Sequence, residues 1–403
     1  MLCPILLIFI TYHNKISVKD MKKVFLSVYL IFSIIMISTN ILGVALTSYG
    51  GGNDIIKANF ISWFNLENYQ KYGYEALASK GLFHMANQVT GVMTAFFPIL
   101  IYIFLTEKFK IKNFLTIILS IFSMLMLGTR IASFGLLAVL IVATCLYLIV
   151  SILNKEKNMN KMGVISLLLL VILSVSIFKY LPVSNRIYIT DDTKNVLENI
   201  KKSKGDYYLD ELLVDILDDD VDIKYQKQVD FIEKFYKIYG FDEIYIIDLY
   251  NYHDDPEFWI DLFRVPFQER ADHRQLKTFV TKRIIELNDN KLDTLFGLSF
   301  TRLRSALIYM ENDILVHYYS IGILGIIVLI FPYLFIVFYA VFKIFQNKKH
   351  FNYLNMTYII CILLAYIMGL YSGNIFDEWI VTLFLGFVSG LLLLNIKKNN
   401  KKS

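Results

Sequence analysis

Long apolar runs recur at residues 24–47, 87–105, 112–128, 131–153, 163–181, 318–342, 356–372 and 377–395, separated by short polar stretches. An α-helix rises ~1.5 Å per residue, so about 20 apolar residues cross the hydrocarbon of a bilayer. The pattern predicts eight membrane-spanning helices. Residues 1–11 (MLCPILLIFIT) are apolar but too short to cross. They lack the basic start and small-residue cleavage site of a secretion signal, and read as the tail of a further, partial helix.

The segment 182–310 follows a different rule. Val229, Ile232, Phe235, Tyr236 and Tyr239 recur at helical spacing, with Gly240 as a stop. Asp255 before Pro256, and Asp272 with Gln275 three residues on, mark helix starts. The second of these helices places Leu276, Phe279, Val280, Ile284 and Leu287 on one face. The predicted fold is an all-α polytopic membrane protein: an N-terminal transmembrane bundle over 1–181, an extracytoplasmic, mainly helical loop domain over 182–310, and C-terminal transmembrane helices with a basic tail over 311–403.

Composition agrees. With 56% hydrophobic and 19% charged residues and a mean hydropathy of +0.52, the 403-residue chain has too little charge to clothe soluble domains. Residues 182–310 hold 25 of the 35 acids and 18 of the 40 bases, net −7, which leaves +12 for the rest. The excess lies in short loops: Lys15, Lys19, Lys22 and Lys23; Lys108, Lys110 and Lys112; Lys155, Lys157 and Lys161; Lys348 and Lys349; and Lys397, Lys398, Lys401 and Lys402. With eight crossings all of these fall on one side, which the positive-inside rule makes cytoplasmic, C-terminus included. The loop 47–86, the turn at Arg130, the segment 182–310 and residues 371–377 then face outward. The basic balance reflects membrane topology and implies no nucleic-acid partner.

Three scattered cysteines and six scattered histidines form neither a disulfide framework nor a metal-ligand spacing, so no metal or other cofactor is expected. Asp218, Asp219, Asp220 and Asp222 alternate like calcium ligands, but Ile223 stands at the glycine position and Val229 at the glutamate position, leaving a solvated acidic turn. Gly50–Gly52 lack a following Gly-Lys-Ser/Thr and read as a flexible link.

Ionisable residues avoid the span interiors, where a transporter would need them, and gather at the outer ends: Arg130, Lys179, Arg186, Arg302, Arg304, Glu311, Asp313, Asp377 and Glu378. Arg130, in LMLGTRIASFG, fits either a snorkelling anchor or a bidentate diphosphate clamp. Glu311 and Asp313 fit either an ion-pair network with Arg302 and Arg304 or a catalytic pair. His317 reads as an interfacial residue.

Four segments together resemble the O-antigen polymerase and O-antigen ligase superfamily of bacterial surface-polysaccharide enzymes. GLFHMANQVTGVMTAFFP, from Gly81, is similar to the family's glycine and asparagine stretch opening a span, with Asn87. GTRIASFGLL matches the family's arginine between two spans, at Arg130. HRQLKTFVTKRIIELNDNKLDTLFGLSF resembles its outer-loop pattern of arginine, helix and glycine, at Arg274 and Gly297. ENDILVHYYSIGILG resembles the signature whose polar start precedes Gly-x-x-Gly, at Gly322 and Gly325. The likeness runs from about Ser79 onward, and members carry additional N-terminal spans.

The resemblance implies glycosyl transfer at the outer face of the bacterial cytoplasmic membrane. Nucleotide sugars and ATP are absent there, so the donor is a polyprenyl-diphosphate-linked oligosaccharide. Arg130 and Arg274, with Arg302 and Arg304, would bind the diphosphate; Glu311, supported by Asp313, would be the base; His317 is auxiliary. In ligases the signature begins with histidine, whereas Glu311 holds that register here, which points to a polymerase. A ligase attaching polysaccharide to a lipid or wall acceptor, and a non-enzymatic lipid-oligosaccharide transporter, are the alternatives. Membrane lipids and other polysaccharide-assembly proteins are the expected partners.

Overall fold

The computed structural model describes residues 2–14, 16–49, 54–155, 159–186, 209–216, 220–266, 269, 273–299, 310, 312–371, 373 and 375–400. Two compact units emerge, one of residues 1–187 with 327–403 and one of 188–326.

The first unit opens with α1 (Leu2–His13), α2 (Val18–Ile41), the two-residue β1 (Leu46–Thr47), α3 (Glu67–Tyr72) and β2 (Ser79–Gly81). It continues with α4 (Ala86–Ala95), α5 (Phe97–Thr106), α6 (Ile111–Met126), α7 (Arg130–Leu153) and α8 (Lys161–Ser176). The second unit holds α9 (Val221–Phe235), α10 (Pro256–Arg264), α11 (His273–Asn288) and α12 (Lys291–Phe296). The chain returns to the first unit along α13 (Asp313–Leu329) and ends in α14 (Phe331–Gln346), α15 (Tyr353–Tyr371) and α16 (Trp379–Asn400).

Among the described residues, six helical stretches are long and apolar enough to cross a membrane: Val18–Ile41, Ala86–Thr106, Arg130–Leu153, Asp313–Gln346, Tyr353–Tyr371 and Trp379–Asn399. Two further runs read as spans, Ile111–Met126 and Lys161–Ser176, form helices of 16 residues each. The first span starts six residues earlier than its apolar run. The Ser17 hydroxyl accepts from the Asp20 amide at 3.1 Å and caps α2 there, while Gly43, at φ +72°, ends the helical path before β1.

Two spans are broken, and each break is met by a buried tyrosine. Between α4 and α5, just before Pro98, the Tyr29 hydroxyl donates to the carbonyls of Val92 and Met93 at 3.1 and 3.0 Å. Between α13 and α14, just before Pro332, the Tyr366 hydroxyl donates to the Ile330 carbonyl. Proline removes an N–H from the ladder, and a carbonyl left bare in hydrocarbon costs several kcal/mol, roughly, so a neighbouring donor makes each break tolerable.

α4 and α5 form the centre of the first unit, packed by α2, α6, α7 and α15, with 89% of their apolar window buried. Ile31, Ile34, Leu169, Ile172, Phe335 and Phe338 point outward as exposed apolar residues, as lipid contact requires. α1 packs on α16. A Cβ on Gly386 would lie 2.2 Å from the Pro4 carbonyl oxygen, and one on Gly390 2.8 Å from that of Ile8. Lys397 lies over the Tyr12 ring at 4.5 Å. Advancing along one helix advances along the other, so the two run parallel, with Gly-x-x-x-Gly permitting backbone approach.

The lysine-bearing ends meet at one end of this unit. Lys22 and Lys110 pair with Glu107 at 3.1 and 3.0 Å, and Asn154 donates to the Phe351 carbonyl at 3.0 Å. At the other end the Phe60 amide donates to Asn40 at 2.9 Å and the Tyr69 hydroxyl to the Tyr180 carbonyl at 2.6 Å.

In the second unit, α9, α10 and α11 enclose an aromatic core that includes Ile232, Tyr239, Trp259, Phe263, Leu276 and Val280. Tyr239 stacks on Phe263 with centroids 4.3 Å apart. Asp255 caps α10 by accepting from the Phe258 amide at 3.2 Å, with Pro256 at the first helical position. Leu287 departs from the expected face: it is 56% exposed, because the core ends one turn earlier at Ile284. Asp272, Asp218, Asp219 and Gly50–Gly52 lie outside the described residues, and the described ones contain no His, Cys, Asp and Glu group fit to hold a metal.

Candidate functional site

In the first unit, the end away from the lysine-rich loops is built around one tight turn. Gly128, at φ +64°, joins α6 to α7, and a Cβ there would meet Ala78 Cβ at 2.8 Å and Pro182 Cβ at 3.1 Å. A side chain would be strained by the backbone and blocked by both neighbours. Thr129 then caps α7 by accepting from the Ala132 amide at 3.2 Å, which fixes Arg130 as the first helical residue.

Arg130 is exposed, and no acid shares the first turn of α7. A cation at a helix N-terminus opposes the macrodipole, so helix stability does not explain it. An anion placed there would be attracted by both the guanidinium and the free N–H groups. Beside it, Arg186 Nη1 donates to the Tyr49 hydroxyl at 2.9 Å and its guanidinium lies 4.8 Å from the centre of the Tyr49 ring. The Tyr49 hydroxyl donates in turn to the Gly128 carbonyl at 2.5 Å. Burial raises the Tyr49 phenol pKa, and the positive charges of Arg186 and Arg130 draw it back down, which places both within electrostatic reach of one ring.

Lys80 was missed by the sequence reading. It sits in β2, two residues after Ala78, is only 5% exposed, and its ammonium has no hydrogen bond or ion pair among the described residues. Burial pushes its pKa below the ordinary lysine value. Its stem is covered while the ammonium end still reaches solvent, the arrangement of a long basic side chain that snorkels from a packed surface. The available signal was the one that singled out Arg130: a cation beside a span on the side assigned to the outside. At the same end Gln88 Nε2 donates to Glu378 at 2.5 Å, tying α4 to the segment before α16.

The second unit contains the signature segment. Asp313 and His317 are both 1% exposed. The His317 Nδ1 lies 2.6 Å from the Asp313 carbonyl oxygen. A carbonyl can only accept, so Nδ1 carries a proton and donates it in this bond. Gly322 breaks the helical path at φ 65°, ψ −172°. Leu298 and Ser299 donate their amides to the carbonyls of Tyr319 and Ser320 at 2.7 and 3.1 Å, so residues after Gly297 pair with the backbone just before the break.

Arg274 lies exposed in the first turn of α11. One turn later Thr278 contacts Met310 Sδ at 3.9 Å, and Ile285 packs with Met310, Val316 and Tyr319. The helix carrying Arg274 is thus packed against the start of the signature segment. Arg302, Arg304 and Glu311 lie outside the described residues.

A model of the family described as O-antigen ligase like membrane protein matches residues 1–399. The chain belongs to that family. No curated protein and no solved structure matches it. Family membership makes the chain a multi-pass membrane protein of surface-polysaccharide assembly, with glycosyl transfer as its chemistry and lipid-linked oligosaccharide as its substrate class.

Proposed function

We propose that the protein polymerises polyprenyl-diphosphate-linked oligosaccharide repeat units at the outer face of the bacterial cytoplasmic membrane. One observation carries most of the reading. The Gly128 turn holds Arg130 at the start of α7 and packs on Ala78, two residues before Lys80, whose ammonium makes no hydrogen bond or ion pair among the described residues. Two cations displayed at the end away from the lysine-rich loops suit a diphosphate leaving group, whose developing charge needs compensation. Arg274, Arg302 and Arg304 complete the clamp in this reading.

An acceptor hydroxyl oxygen attacks the anomeric carbon, the bond to the diphosphate oxygen breaks, and Glu311, supported by Asp313, takes the hydroxyl proton. Polyprenyl diphosphate departs with the bonding electrons. Base and clamp on opposite faces of the sugar invert its configuration, and the cations do the electrostatic work without a metal. Eight crossings, residues 182–310 outside and the C-terminus inside, put every lysine-rich loop in the cytoplasm. One observation favours a second base: His317 lies in the signature segment with its ring held by the Asp313 carbonyl through Nδ1.

The product that accumulates in a deletion strain tests the proposal. Single lipid-linked repeat units are expected, while unattached long chains would identify a ligase. Labelling of Asn251→Cys by a membrane-impermeant reagent on intact cells tests the orientation; labelling only after permeabilisation would overturn it.

A further inference from the structure

The second unit contains a cleft of about 320 Å³ built from α10 and α11 alone. This lies at the small end of the roughly 300–1,000 Å³ range of ligand pockets, room for one or two small rings. Phe258 and Phe279 line it and are only partly buried, so apolar ring surface remains accessible.

Its polar lining has both signs. Glu257, Asp261 and Glu286 contribute carboxylates, each about two-thirds exposed. Their ion pairs are loose, at 3.7 Å to Lys224, 3.4 Å to Arg264 and 3.7 Å to Arg283. Exposed pairs of this kind contribute about 0–1 kcal/mol, so exchanging them for a ligand's hydrogen bonds costs little. Lys282 is exposed and makes no ion pair among the described residues.

Arg283 is held differently. Its Nε donates to Asp255 at 2.6 Å, and Asp255 also accepts from the Tyr250 hydroxyl at 2.9 Å and caps α10. Burial alone would raise the Asp255 carboxyl, but the Arg283, Tyr250 and Phe258 hydrogen bonds outweigh it and keep the group ionised. One wall of the cleft is therefore fixed before any ligand arrives, which lowers the cost of binding.

Three carboxylates against two cations repel a phosphate, and a charged rim repels a lipid tail. A sugar suits both features: its hydroxyls donate to carboxylates and accept from Lys282 and Arg283, and its C–H face lies on an aromatic ring. We propose that the cleft between α10 and α11 is a saccharide-binding subsite that holds one or two sugar residues of the glycan. Binding follows from the cleft itself, and its role in holding acceptor or product rests on the polymerase reading.

The test uses the full-length protein in lipid nanodiscs. Oligosaccharide released by mild acid from the strain's own surface polysaccharide is titrated by calorimetry, with inorganic pyrophosphate as the contrasting probe. The oligosaccharide is expected to bind, and the double variant Asp261→Asn, Glu286→Gln to weaken it at least tenfold. Both side chains are exposed, and circular dichroism checks the fold. Pyrophosphate should not compete, and Arg130→Lys should leave saccharide binding unchanged. Undiminished saccharide binding in the double variant, or pyrophosphate binding abolished by Lys282→Met, would overturn the assignment. Normal polymer from Arg130→Lys would count against the polymerase clamp and leave the cleft result standing.

Discussion

Gly297 and Gly322 meet backbone to backbone. A Cβ on Gly297 would lie 2.3 Å from the Ser320 carbonyl carbon, and one on Gly322 2.3 Å from that of Leu295, each glycine at positive φ. Neither neighbour is a side-chain end that can swing away. Gly297→Ala and Gly322→Ala should each cost more than the ~1–2 kcal/mol of a left-handed residue alone, because main chain must move. Hydrogen exchange checks this: the Leu298 and Ser299 amides should lose protection in both variants.

Arg130 and Arg274 are expected to need the planar guanidinium fork, which lysine lacks while keeping the charge. Arg130→Lys and Arg274→Lys should each abolish long polysaccharide at unchanged protein level. Near-normal polymer from both would restore the snorkelling anchor. Added chelator should have no effect on polymer yield.

Glu311→Gln preserves size and hydrogen bonding but removes the charge. The variant should fold and bind lipid-linked donor, yet yield single repeat units only, with a loss of activity of at least ~100-fold for a general base. Asp313→Asn should be milder and His317→Ala milder still. A dead His317→Ala beside a normal Glu311→Gln would assign the base to the histidine.

Lys80 gives a prediction with opposite signs for stability and function. Its folded pKa lies below the unfolded value, so partial desolvation of the ammonium opposes folding at neutral pH. That penalty fades as pH rises through the folded pKa towards the ordinary lysine value of 10.5. Lys80→Met should raise the melting temperature at pH 7, with the gain shrinking by pH 10, while polymer yield falls at least tenfold. A variant less stable at pH 7, with normal polymer, would make Lys80 a structural residue.

The apolar helices were legible because a bilayer demands long apolar runs whatever they pack against. What packs where was not. Lys80 looks like any loop lysine until β2 lies against the Gly128 turn, a contact between segments some fifty residues apart. His317 is 1% exposed, a burial that spacing along its own helix does not announce. Arg130 was legible because a cation there violates a charge rule that acts locally along the chain. The aromatic core of the second unit was legible in Val229, Ile232 and Tyr239, and Leu287 was misplaced because periodicity does not say where a partner surface stops.

The parallel seating of α1 on α16 also orders events in time. The groove formed by Gly386 and Gly390 is synthesised long after the helix that fills it, so α1 cannot take this seat until α16 has emerged. Docking closes a seam that no nascent chain ending before α16 contains. Assembly of this bundle is therefore gated by translation of its distal helix, and a ribosome stalled before α16 would leave α1 without its seat.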